Sequence, residues 1–165
     1  MKKTLIIFSI ILILNSCGEF EFVHKTNIND FYLKNNTNID VEGDGASQIS
    51  VLLNNIIGEN QNDNPKYKIL AKSLKKVSAD VINKDATASK FNIEYSISYN
   101  FYNLSKNCTV FNKKITTKNS YNVKSAGYSF GTDLSQKESN MKTINKNINE
   151  FISFLNTFPT INKCI

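Results

Sequence analysis

The chain has 165 residues, 41% of them hydrophobic, and a formal charge of +6 from 20 lysines, no arginine and 14 acidic residues. That length suits one ordinary domain and is short for two. Asn, Lys and Ile are all abundant, as an AT-rich coding sequence produces, so the basic balance by itself does not call for an acidic partner.

The amino-terminal stretch MKKTLIIFSIILILNSCGEF places Lys2 and Lys3 before an apolar run, Leu5 to Leu14, broken only by Ser9. A membrane span needs about 20 apolar residues, whereas a secretory leader needs a basic start and roughly 7–15. The run therefore reads as a leader. It ends in Leu14-Asn15-Ser16-Cys17-Gly18, which resembles the lipobox of bacterial lipoproteins, although Asn15 departs from the small or β-branched residue usual there. The resemblance implies a thiol-linked diacylglycerol on Cys17, cleavage just before it, and acylation of the new amino terminus; several acyl chains hold a protein lastingly on a bilayer where one does not. Gly18, rather than Asp, resembles lipoproteins released to the outer membrane. Loss of Lys2 and Lys3 lowers the formal charge from +6 to +4. The expected organisation is a signal peptide over 1–16, a lipidated flexible tether over 17–30 and a single domain over 31–165. Export removes nucleic acid as a partner. His24 is the only histidine and lies in the tether, which leaves zinc and histidine-based catalysis without support. With Cys17 acylated, Cys108 and Cys164 remain, and an oxidising compartment allows them either to bridge or to stay as two lone thiols.

A first strand is expected between Phe31 and Val41, where Phe31, Leu33, Ile39 and Val41 share one parity. Two decoys follow. Asp40, Glu42, Asp44 and Gly45 imitate the start of a calcium loop, but its twelfth position is Val51. Gly43 and Gly45 hint at a phosphate cradle, but the acidic flanks repel phosphate. The spacing of Ile49, Leu52, Leu53, Ile56 and Ile57 predicts an amphipathic helix, capped by Ser47 or Asp44 and stopped by Gly58. A loop through Pro65 and a strand over Leu74 to Ile82 come next, with Val77, Ala79 and Val81 on one side. From Phe91 to Phe101 apolar and polar residues alternate strictly, so one face of that strand is buried and the other wet. The connection Asn83 to Ser89 makes these two strands an antiparallel hairpin, with Lys84, Asp85 and Lys90 at its tip. A fourth strand is expected over Thr109 to Lys124, with an irregularity near Thr117 to Ser120. A long helix follows, with Leu134, Met141, Ile144, Ile148, Phe151, Ile152, Leu155 and Phe158 as its stripe. Asp133 with Gln136, or Ser135 with Glu138, offers a capping box, and Pro159 marks the end.

The expected fold is α+β: an antiparallel four-stranded sheet with two helices packed on one face, in the order strand-helix-strand-strand-strand-helix. The other sheet face is polar. Leader, lipobox, Cys-Gly followed by an aromatic, this element order and a polar hairpin tip together resemble the lipopolysaccharide-assembly lipoprotein family, LptE. The resemblance implies an outer-membrane lipoprotein, anchored on the periplasmic side, that plugs the LptD β-barrel and helps pass lipopolysaccharide to the surface. It implies no bond-making, no metal and no cofactor beyond the lipid on Cys17. It also implies lipopolysaccharide contact at Lys84, with Lys90 close by, although Thr132 is uncharged where a second basic residue is expected. The alternative is a lipid-anchored periplasmic binding or scaffold module without a barrel partner. An envelope hydrolase is a third class, weakened by the absence of a nucleophile motif.

Overall fold

The computed structural model describes residues 33–82, 84, 88–123, 129–157 and 164–165. The leader, Cys17, the tether with His24, Phe31, Asp85, Phe158 and Pro159 lie outside the described residues.

Strand β1 (Thr37–Gly43) leads through helix α1 (Ala46–Ile57) into β2 (Tyr67–Ile82), β3 (Ala88–Asn103) and β4 (Cys108–Asn122), and helix α2 (Ser129–Thr157) follows. The four strands lie side by side in chain order, and both helices cover one face. The α+β class and the element order agree with the sequence expectation. The sheet is mixed: β1 pairs with β2 in parallel, and the other two pairings are antiparallel. Helix α1 is the reason, because a helical crossover returns the chain to the end where β1 began, whereas a tight turn would have reversed it.

Strand β3 alternates as its sequence dictates. Ile93, Tyr95, Ile97, Tyr99, Phe101 and Asn103 are buried, and the residues between them are half-exposed. Ile49, Leu53 and Ile57 of α1 and Ile144, Ile148, Phe151, Ile152 and Leu155 of α2 close over that row. Full burial of such side chains contributes roughly 1.5–3 kcal/mol each. The rings are ordered as well. Tyr99 stacks on Phe151 with centroids 3.8 Å apart and planes 7° from parallel. Tyr67, Phe101 and Phe111 stack side by side across β2, β3 and β4 at 5.4 and 5.2 Å, and Phe154 of α2 meets Phe111 edge-on at 5.1 Å.

Several local expectations need correction. β2 begins at Tyr67, seven residues before Leu74, and its core-facing residues are Tyr67, Ile69, Ala71 and Ser73. Leu74, Val77, Val81 and Ile82 are exposed. The residue capping the start of α1 is Gly45, in a left-handed conformation and without a side-chain cap; Asp44 instead accepts a hydrogen bond from the Lys75 backbone N–H at 2.7 Å. Gly58 does end the helix, its N–H donating to Asn54 O at 2.8 Å. α2 starts at Ser129, so Asp133 and Ser135 fall inside the helix and not at its capping position, and Leu134 is 51% exposed. The irregularity in β4 is at Val110, where the register shifts opposite Phe101 and Tyr102, and pairing runs unbroken through Thr117 to Ser120. Gly43, at φ +95°, lies where a Cβ would overlap the Ser73 carbonyl oxygen, so the bend out of β1 requires glycine.

Cys108, the first residue of β4, and Cys164 are joined as a disulfide, Cα atoms 5.9 Å apart. Beside it the Ile165 N–H donates to Thr109 O at 3.0 Å.

Candidate functional site

The sheet face away from the helices is where charge collects, because even-numbered residues of β2, of β3 and of β4 beyond its irregularity at Val110 point there. Asp40 pairs with Lys68 at 2.6 Å, Glu42 with Lys72 at 3.2 Å, Glu94 with Lys118 at 2.8 Å and Asp80 with Lys90 at 3.0 Å. Each pair joins neighbouring strands. The Ser96 and Thr116 hydroxyls meet at 2.8 Å between them. Exposed pairs of this kind contribute little to stability, so the face is a patterned polar surface more than a source of stability. Hydrogen bonding from Lys118 holds the Glu94 carboxyl below its usual range, and hydrogen bonds from Lys90 and then Asn92 do the same for Asp80. Hydrogen bonding to Asp40 raises Lys68.

At the hairpin tip, Lys84 is an exposed turn residue. Lys90 is on β3 with its ammonium on Asp80, and the Asn92 side-chain amide donates to the other Asp80 oxygen at 2.9 Å. The two lysines proposed from sequence therefore differ in kind. Lys84 is exposed on the turn, and Lys90 is ion-paired with Asp80.

Sequence reasoning missed Asn147, the most connected buried polar side chain among the described residues. It is fully buried on the core stripe of α2. Its amide donates to Ile115 O at 3.0 Å and to Thr117 Oγ1 at 3.2 Å, and its Oδ1 accepts from the Tyr99 hydroxyl at 2.9 Å. Thr117 Oγ1 in turn donates to Thr143 O at 2.9 Å. The available signal was position. Asn147 lies one helical step after Ile144 and one before Phe151, on the apolar stripe itself, where a polar residue needs an internal partner.

Burial pushes the Tyr99 hydroxyl well above the ordinary tyrosine range. Because the folded value lies above the unfolded one, this contribution to stability is complete below pH about 10 and is lost as pH rises beyond it. Denaturant unfolding at stepped alkaline pH is expected to show that loss, and Y99F is expected to remove Tyr99's share of the slope. An equal slope in Y99F would show that Tyr99 ionises freely in the fold.

A cleft of about 360 Å³ lies between the start of α1, the sheet and α2, bordered by Asp44, Gln48, Lys75, Tyr95, Lys137 and Asn140. Burial, and then the charge of Asp44, raises Tyr95. Among the described residues no group of three or more His, Cys, Asp or Glu is placed to hold a metal ion. Among them, too, no helix is long and apolar enough to cross a membrane.

No protein-family model matches the chain, and no curated protein matches it. Solved structures do. A candidate lipoprotein of Caulobacter crescentus CB15 superposes with a TM-score of 0.56 at 15% identity, covering 75% of this chain and 90% of its own. A minor lipoprotein of Acinetobacter baumannii superposes with a TM-score of 0.51 at 12% identity, covering 76% of this chain and 91% of its own. At these identities the likeness establishes a shared fold.

Proposed function

We propose that this chain is a lipid-anchored, non-catalytic binding or scaffold module on the periplasmic side of a bacterial envelope membrane, tethered through Cys17. The observation that carries the reading is the pairing of a lipobox with a domain that covers one sheet face with helices and keeps the other polar and ion-paired. The fold shared with two proteins described as lipoproteins supports it. A palmitate analogue is expected to label the wild-type chain in cells and to leave C17A unlabelled and released from the membrane. Equal labelling of C17A would overturn the anchor.

The polar sheet face favours a second, finer reading, in which the domain plugs an LptD-like outer-membrane barrel and aids lipopolysaccharide assembly. A barrel lumen is polar, and a compact domain with a hydrophilic face fills it without stranding unpaired polar groups. Lys84 and Lys90 would then be the candidate lipopolysaccharide contacts, meeting phosphate as point charges. Extraction in mild detergent separates the two readings: a stoichiometric large barrel co-purifies with a plug and is missing from a free-standing module. Normal surface lipopolysaccharide after depletion would reject the plug.

A further inference from the structure

Strand β2 outruns its neighbour on one side. β1 pairs with Tyr67 to Ser73 only, so beyond Ser73 the outer edge of β2 has no strand beside it among the described residues. Residues 76–82 are all exposed, with Val77 at 43%, Val81 at 45%, Ile82 at 66% and nearby Leu74 at 67%. Backbone direction along this edge follows from two hydrogen bonds. The Ser73 carbonyl accepts from the Asp44 N–H at 3.2 Å, and the Lys75 N–H donates to Asp44 Oδ2 at 2.7 Å. Odd-numbered residues therefore turn their N–H and C=O outward. Asp44 closes the ladder at Lys75, and beyond it Val77 and Ala79 offer outward backbone groups, an open template for another strand.

We propose that this edge pairs, antiparallel and centred on Ser78, with the same segment of a second copy, joining two four-stranded sheets into one. The sequence Lys75-Lys76-Val77-Ser78-Ala79-Asp80 is self-complementary about that centre. Lys76 of each copy falls opposite Asp80 of the other on the polar face, twice by symmetry. Val77 falls opposite Ala79, so the two residues that turn outward exchange both of their backbone hydrogen bonds. Neighbouring registers lose this match. Centring on Val77 puts Lys76 against Ser78, and centring on Lys76 puts like charges face to face. A centre between residues sets an outward backbone against an inward one. Asp80 can serve both Lys90 and the second copy's Lys76, because a carboxylate accepts about four hydrogen bonds. The register shift after Ala79 ends regular pairing there, so the contact is short, and two copies on one bilayer would gain from their raised effective concentration.

The test uses the full chain in detergent, so that it does not depend on the anchor. In the proposed pair, Ser78 faces Ser78 at a position without cross-strand hydrogen bonds, where Cα atoms lie about 4.5 Å apart, within disulfide range. S78C is therefore expected to form a reducible covalent dimer under mild oxidation, well above wild type and above N112C, placed on exposed β4. K76D turns two attractions into two repulsions and is expected to weaken dimerisation roughly tenfold, whereas K76A, which removes the attractions without adding like charge, is expected to weaken it less. Cross-linking of S78C no greater than that of N112C would overturn the proposal, as would cross-linking to a different protein or a K76D variant that dimerises like wild type.

Discussion

Phe151→Ala is expected to lower the unfolding free energy by about 3–5 kcal/mol, the usual range for emptying a buried aromatic site. Phe151 is fully buried and its ring lies flat on Tyr99, so alanine removes both the apolar area and the stack. The cavity opens where α2 meets β3 and β4, and neither a paired strand nor a helix can collapse far into it. For a domain of this size the shift in melting temperature is roughly 10–15 °C. Leu134→Ala provides the contrast. Leu134 belongs to the same sequence stripe but is half-exposed, and its loss should cost within about 0.5 kcal/mol. Chemical denaturation of both variants checks the pair of values. Similar losses in the two would mean that α2 docks on a different face.

Opening the bridge between Cys108 and Cys164 is the second large effect. The two residues are 56 apart in sequence, and the entropy returned to the unfolded chain by opening such a loop corresponds to about 4 kcal/mol in the chain-entropy account. C108S/C164S is expected to lose about that much in denaturant, and reductant should weaken the wild-type chain to the same level while leaving the double variant unchanged. Insensitivity of the wild-type chain to reductant would show that the bridge carries no stability.

Much of the fold was legible because a few elements are strictly periodic. The alternation from Phe91 to Phe101 and the stripe from Ile49 to Ile57 each point to one burial pattern, and the structure follows both. β2 was harder to read. Lys68 and Lys72 alternate with Tyr67, Ile69 and Ala71 in its first half, but Leu70 breaks that pattern on the wet side, while Val77 and Val81 gave an apolar row that the helices do not cover. The parallel pairing of β1 was implicit in the strand-helix-strand order but depends on which way the crossover returns. Of the candidate site, the polar face could be read from the even-numbered residues. Its ion pairs could not, because Asp80 with Lys90 and Glu94 with Lys118 meet only through the register of separate strands. Asn147 was hidden for a related reason: its partners are on β3 and β4, at separations of 30 or more residues.

The row of rings from Tyr67 through Phe101 and Phe111 to Phe154 has an optical consequence. The chain has no tryptophan, so its near-ultraviolet circular dichroism comes chiefly from tyrosine and phenylalanine held in fixed, asymmetric surroundings. That signal vanishes when side chains lose their fixed packing, even where secondary structure persists. With Tyr67 at one end of the row and a ring of α2 at the other, the protein carries an intrinsic, label-free spectroscopic reporter of whether its last helix is seated.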